Sequence, residues 1–154
     1  MAGFLEKIRQ WLPPVSDDSR IRDYFQSAWQ MEHQNLDLYP LLVPMIRYPF
    51  LVEKTTDLQS AQATNSRQIE IELASNQIDR PVRLPAVDLS SLPTDYHKRI
   101  FILNILLENN KSLAAIYLHL SYAETIALNT HYEKLKIDKE NQIKLLQDIC
   151  IRLN

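Results

Sequence analysis

Hydrophobic residues recur every three or four positions along most of the chain, the spacing that places them on one face of an α-helix. After a polar cluster at residues 16–19, this pattern predicts a first helix from about Arg20 to Tyr39. Its core-facing stripe is apolar at both ends and polar in the middle. The stripe consists of Ile21, Phe25, Ala28, Met31 or Glu32, Asn35 and Tyr39.

Three prolines, Pro40, Pro44 and Pro49, follow this helix within ten residues. Because proline lacks a backbone N–H and disfavours helix in the residue before it, we expect the first helix to kink or end near Tyr39. Residues 41–50 are then an irregular apolar connection.

Residues 51–79 predict a second long helix, although its stripe is weak. About half of the stripe positions are polar. They are Leu51, Thr55, Leu58, Gln62, Asn65, Ile69 and Glu72. Residues 68–73 also alternate between polar and apolar, so an edge strand within residues 67–73 remains an alternative.

Residues 80–93 contain three prolines among apolar residues, a pattern typical of an extended strap laid across a bundle. A crossover of this length lets the second and third helices run parallel. Thr94 is the predicted N-cap of the third helix.

The region from Thr94 onward is too long for one helix of a small domain, so it must turn. Capping boxes mark two places for the turn, Ser121 with Glu124 and Thr130 with Glu133. Asn129 favours the second, and Asp138 is a third possible restart. The last helix is predicted to bury Ile143, Leu146, Ile149, Cys150 and Leu153 and to expose Lys139, Lys144, Gln147 and Asp148.

The chain thus predicts an all-α, single-domain bundle of about four principal helices. Residues 16–154 form this bundle domain, and residues 1–15 form a short amphipathic arm. The apolar face of the arm consists of Phe4, Ile8, Trp11 and Leu12. Because so short a helix is marginal alone, it needs a surface, which its own bundle, a partner protein or a membrane interface could supply.

Composition supports the helical prediction. The chain of 154 residues has a single glycine, whereas hairpin turns and nucleotide-binding loops depend on that residue. The net charge of −2, with both signs interspersed, disfavours nucleic acid as a partner. One cysteine and no apolar signal sequence or bilayer-length segment indicate a cytoplasmic protein.

Polar residues within the helical stripes are the features that suggest a site, since a buried polar group requires a partner or a ligand. Carboxylates converging on a bundle axis are the design of di-metal centres. The candidate metal ligands are Glu32, Glu72, Glu108 and Glu124.

Residues 21–73 resemble the first helical hairpin of the ferritin-like superfamily. The resemblance lies in "YFQSAWQMEHQNLDLYPLL" followed by "YPFLVEKTTDLQSAQATNSRQIEIEL", with an aromatic residue about eight positions before a glutamate. It implies that Glu32 matches the helix-one metal ligand and that iron or manganese is the cofactor. The Glu-x-x-His pairs of the family are missing, since no histidine lies between His33 and His97 and Lys136 follows Glu133.

Two classes of function agree with these features. The first is a non-enzymatic interaction protein, an adaptor, assembly factor or structural subunit, without a cofactor or catalytic residue. It binds a protein partner or a second copy of itself through Phe4, Ile8 and Trp11. The alternative is a ferritin-like bundle that binds a metal or another ligand. The missing histidines favour the first.

Overall fold

The computed structural model describes residues 18–122 and 129–153, and its elements confirm the all-α prediction. The helices are α1 (Asp18–Leu42), α2 (Pro49–Ser75), α3 (Asp95–Ser121) and α4 (Asn129–Leu153). The arm at residues 1–15 lies outside the described residues. Residues 67–73 belong to α2, so the strand alternative for this segment is wrong.

The first helix continues past the predicted stop at Tyr39. Pro40 lies inside α1 on its solvent side, and the helix ends only at Leu42. A 3₁₀ turn, Val43–Met45, follows, and Pro49 is the first residue of α2. Proline is well suited to that position because its missing N–H would have no intrahelical partner there. The predicted irregular connection is therefore shorter than residues 41–50.

The end of α2 shows how a chain with one glycine closes a helix. Gln77 adopts a positive φ of 56°, the backbone conformation that glycine usually supplies. The N–H of Ile78 then donates to the carbonyl of Leu73 (2.9 Å), and the N–H of Gln77 donates to that of Ala74 (3.2 Å). Ile78 packs against the core, which completes a Schellman motif. The helix ends at Ser75 rather than Asp79 for this reason.

The segment between α2 and α3 is the predicted strap. It has no regular structure from residue 78 to residue 89 and follows α1 in the same direction. Gln26 donates to the carbonyl of Asp79 (3.1 Å), and Gln30 donates to that of Val82 (2.8 Å). The strap returns the chain to the level at which α2 began, so α2 and α3 run parallel, as expected.

Thr94 caps α3, accepting a hydrogen bond from the N–H of His97 (3.2 Å). Between α3 and α4, residues 123–128 lie outside the described part of the chain. α3 ends at Ser121 and α4 starts at Asn129, which agrees with the preferred second capping box. Asp138 lies within continuous helix, so a restart there is wrong.

Each helix packs against two neighbours, α1 against α2 and α3, and α4 against α3 and α2. Buried positions alternate in steps of three and four, as in coiled-coil bundles. In α4 they are Tyr132, Leu135, Lys139, Gln142, Leu146 and Ile149. Two apolar clusters result. One contains Phe25, Trp29, Leu73 and Leu120, and the other contains Leu42, Leu58, Leu103 and Leu146.

Candidate functional site

A layer of polar side chains separates the two apolar clusters. All four helices contribute to it, and every member is buried. We call it the polar layer. It consists of Glu32 and Asn35 from α1, Gln62, Asn65 and Ser66 from α2, Asn110 from α3, and Lys139 and Gln142 from α4. The polar residues in the middle of the predicted core-facing stripes are therefore buried in the core, as the sequence predicts.

Glu32 and Lys139 form an ion pair at the centre of the layer. Both residues have an exposed fraction of 0%, and Lys139 Nζ lies 2.5 Å from Glu32 Oε1. The other carboxylate oxygen of Glu32, Oε2, accepts a hydrogen bond from Gln62 Nε2 at 2.8 Å. The pair joins α1 to α4, two helices at opposite corners of the bundle.

The remaining donors of the Lys139 ammonium group are also used. They reach Gln62 Oε1 at 3.4 Å and Gln142 Oε1 at 3.3 Å. Gln142 in turn donates to Asn65 Oδ1 at 2.9 Å, which ties α4 to α2. Burial lowers the pKa of Lys139, while the adjacent Glu32 carboxylate opposes that shift. The three ammonium protons thus have three oxygen partners.

Two tyrosines border the charge pair. Burial, followed by the charge of the nearby Glu32 carboxylate, raises the pKa of Tyr117 well above its usual range. Burial and the same charge raise the pKa of Tyr39. The Tyr39 hydroxyl has no hydrogen-bond partner among the described residues. Both phenols therefore stay protonated over the ordinary pH range.

An amide ladder connects α1 to α3 on the other side of the layer. Asn35 Nδ2 donates to Asn110 Oδ1 at 3.2 Å, and Asn109 Nδ2 donates to both Asn35 Oδ1 (2.9 Å) and Gln34 Oε1 (2.8 Å). The ladder uses neutral groups only. The layer consequently has one negative and one positive charge, which compensate each other inside the bundle.

Lys139 is the residue that sequence reasoning misplaced. It was predicted on the solvent side of the last helix, and it is fully buried. The spacing of buried positions in α4 could have predicted this burial, because residue 139 lies four positions after the buried residue 135 and three before the buried residue 142. The ammonium group supplies positive charge to Glu32 at the position where the ferritin-like resemblance implies a metal ion.

The structure describes three of the four predicted metal ligands, Glu32, Glu72 and Glu108, and these three do not form one group. Glu72 accepts hydrogen bonds from the Tyr132 hydroxyl (2.6 Å) and Gln68 Nε2 (2.8 Å), and its carboxylate lies 3.0 Å from His131 Nε2. Glu108 is exposed and pairs with Lys111 at 3.3 Å. Glu124, like Phe4, Ile8 and Trp11, lies outside the described residues. Within residues 18–122 and 129–153, no three His, Cys, Asp or Glu side chains are grouped to hold a metal.

A second cluster of polar and charged side chains, centred on Glu70, lies between α1, α2 and the strap. Glu70 Oε1 accepts from Trp29 Nε1 (2.8 Å) and lies 3.0 Å from His33 Nε2, and Glu70 Oε2 pairs with Arg80 Nε (2.8 Å). Arg83 Nη2 lies 3.4 Å from His33 Nδ1. Burial and then Arg83 lower the pKa of His33, against the opposing charge of Glu70. This cluster fastens the strap to the bundle.

An open cleft of about 470 Å³ occupies the end of the bundle where α1 passes into α2. The starts of α2 and α3 and the end of α4 enclose it. We call it the end cleft. Its lining consists of Met45, Arg47, Tyr48, Thr94, Asp95, Tyr96, Arg99 and Leu153. Beside it, Lys54 Nζ and the Arg152 guanidinium lie over the exposed ring of Phe50, at 4.5 and 5.2 Å from the ring centre.

Comparison of the chain with protein-family models, with curated proteins and with solved structures gave no match. None of the helices in the described part of the chain has both the length and the apolar composition needed to cross a bilayer.

Proposed function

We propose that this protein is a non-enzymatic helical interaction protein, an adaptor, assembly factor or structural subunit that works through protein contacts. The end cleft carries the proposal. Tyr48 and Tyr96 line it with exposed fractions of 61% and 48%, although most of the other aromatic side chains of the described helices are packed in the core or against it. Tyrosine and arginine are, with tryptophan, the residue types enriched among the side chains that dominate the binding energy of protein interfaces.

The chemistry of the end cleft supports a protein partner. Met45 and Leu153 supply apolar surface, and the rings of Tyr48 and Tyr96 supply rigid area with a polar edge. Arg47 has a side-chain exposure of 81%, and its contact with Asp95 is a long one at 4.0 Å. An exposed pair of this kind contributes little to stability, so Arg47 is available to a partner.

The partner can be tested by placing a photo-crosslinking amino acid at Tyr48 or Tyr96 in the intact protein in its native host. We expect the same protein to be captured from both positions. A probe at Ile137, which is exposed on α4 far from the cleft, is the control and should not capture it. Arg47→Glu should abolish capture without changing the melting temperature. Equal capture from all three positions, or none, would refute a role for the cleft.

The predicted contact through Phe4, Ile8 and Trp11 stays a proposal of its own. Replacing the three residues with alanine is expected to abolish partner binding or self-association while leaving the helix content unchanged, because the arm precedes the bundle helices. An unchanged oligomeric state and an unchanged set of co-purified proteins would overturn this assignment. The result is independent of the end cleft.

The alternative proposal, a ferritin-like bundle that binds iron or manganese, has one supporting observation. The single long crossover between α2 and α3 is a connection that ferritin-like folds use. Against it, the Lys139 ammonium group already pairs with the carboxylate of Glu32. Glu32 is the one residue that the resemblance assigns as a metal ligand. Elemental analysis of untagged protein purified without chelators distinguishes the metal-binding proposal from the contact proposal. Near-stoichiometric metal that is lost in Glu32→Gln would support the alternative, and its absence would leave the contact proposal.

A further inference from the structure

A groove separates the second half of α1 from the strap. It has a volume of about 300 Å³ and runs from the level of Gln30 to that of Leu41. We call it the α1–strap groove. Its apolar lining consists of Leu38, Leu41, Leu84, Pro85, Ala86 and Val87. Leu41 and Leu84 retain exposed fractions of 43% and 37%, so apolar surface of the groove faces outward.

Contacts between the strap and α1 form the rim of the groove. Arg83 on the strap pairs with Asp37 of α1 at 3.3 Å, and Gln30 holds the Val82 carbonyl at 2.8 Å. Val87 packs onto the apolar cluster beneath. The apolar lining is therefore presented by a strap anchored along its length.

We propose that the occupant of this groove is the amphipathic arm of the same chain, with residues 3–12 lying antiparallel to α1. Chain length carries the proposal. The level of Gln30 is about 18 Å along α1 from its first residue, Asp18. The link from Leu12 to Asp18 comprises six Cα–Cα steps and spans about 20 Å when extended, which covers this rise together with the sideways step from α1 onto the groove. The groove, from Gln30 to Leu41, is about 16 Å long, and a ten-residue helix is about 15 Å long.

The side chains of the arm match the groove in kind and in size. A cavity of about 150 Å³ holds one benzene ring, so a volume of about 300 Å³ offers space for about two aromatic groups. Phe4 and Trp11 are the two aromatic residues of the arm, and both lie on its apolar face. In the antiparallel direction Trp11 comes to the level of Gln30, and Phe4, seven residues or about 10 Å further along, comes to that of Asp37, about one turn from Leu41. The charged residues of the arm then face solvent.

Crosslinking in the full chain tests the proposal. Cys150 is the only cysteine, so a Cys150→Ser background leaves two introduced cysteines as the only thiols. A short bis-maleimide should join F4C to L41C within one chain. The matched control pairs F4C with I151C, since Ile151 is exposed at the same end of the bundle but on α4. Mixing isotopically labelled and unlabelled protein separates links within a chain from links between chains.

We expect the F4C–L41C link within one chain, at several times the yield of the control. Equal yields would overturn the proposal, because the arm then has no preferred site. Links between chains would also overturn it, since a second copy would then be the occupant.

Hydrogen exchange of the strap provides a second readout. In F4A/I8A/W11A, the amides of Val82, Arg83, Leu84, Ala86 and Val87 should exchange several-fold faster than in the wild type. The polar-face control E6A/K7A/R9A should leave them unchanged. Equal exchange in all three proteins would contradict docking in the groove, even if the arm crosslinks nearby. Neither readout involves the end cleft, so failure here leaves the proposed function of the cleft standing. Success would assign the Phe4, Ile8 and Trp11 face to the groove in place of the separately proposed partner contact.

Discussion

Core side chains near the two ends of the bundle are apolar, whereas those at its middle are amides, a hydroxyl and an ion pair, although both sets are equally buried. The ends are stabilised by apolar burial and close packing, which require shape but no particular partner atom. The polar layer depends on specific pairs. Removal of a single member leaves a buried group without its partner.

This difference predicts that the two regions respond to mutation in different ways. In the apolar clusters, the cost of a substitution should follow the volume that it removes. In the polar layer, the cost should depend on what remains opposite the changed side chain. Because each polar contact requires one alignment of the helices, we also expect the layer to fix which helices face each other across the bundle.

The largest effect is expected for Lys139→Met. It leaves the Glu32 carboxylate buried without its counter-charge, and breaking a buried pair in this way costs about 3–5 kcal/mol of unfolding free energy. Denaturant unfolding measures the change. Lys144→Met on the exposed face of α4 is the control and should change stability by less than about 0.5 kcal/mol. Similar values for the two variants would contradict the comparison.

Leu106→Ala tests the apolar side. Leu106 has no exposed surface and packs in the cluster next to the α1–α2 turn. We expect a loss of about 2–5 kcal/mol, because the change removes buried surface and leaves a cavity. Leu106→Met should restore most of it, since an apolar side chain of similar volume fills the space. Failure of methionine to do so would show that the ends also depend on specific contacts.

A pair of tyrosines sharpens the contrast further. The Tyr132 hydroxyl donates to Glu72 at 2.6 Å, whereas the Tyr39 hydroxyl has no partner among the described residues. Tyr132→Phe should therefore cost about 1–2 kcal/mol, and Tyr39→Phe should cost nothing or stabilise slightly. Thermal unfolding of the two single variants gives the comparison directly. The reverse order would contradict the hydrogen-bond assignment.

The smallest expected effect concerns pH. Folding lowers the pKa of His33, chiefly through burial. As the pH falls through the ordinary histidine pKa, the unfolded chain therefore binds a proton at His33 more readily than the folded chain does. Stability should therefore decrease from pH 7 toward pH 5. His33→Gln should flatten that profile in part, because burial also lowers the pKa of His119. An unchanged slope in the variant would exclude His33 as a source of it.

Most of the fold follows from the sequence. Helical periodicity, the placement of prolines and the near absence of glycine predict the helices, the strap and the parallel course of α2 and α3. The errors concern helix ends. α1 extends past Pro40 because that residue faces solvent, and α2 ends early because Gln77 accepts a positive φ without being glycine. Propensity alone does not reveal either exception.

The candidate site was only partly predictable. The polar stripes of α1 and α2 indicate buried polar groups, and Glu32 stands out among them. The partner of Glu32 comes from α4, more than a hundred residues later, and lysine is almost always exposed unless it is paired. Helical spacing places Lys139 between buried positions, but only the packing of α4 across the bundle shows which charge it meets.

The most direct test of the central claim, that Lys139 is the charge partner of Glu32, is a double-mutant cycle with Glu32→Gln and Lys139→Gln in metal-free protein. We predict that each single change costs several kcal/mol of unfolding free energy. The double variant should cost less than their sum by at least about 1 kcal/mol, because neither charge is then left unpaired. Additive costs, or a loss in Glu32→Gln that depends on added iron or manganese, would contradict the account.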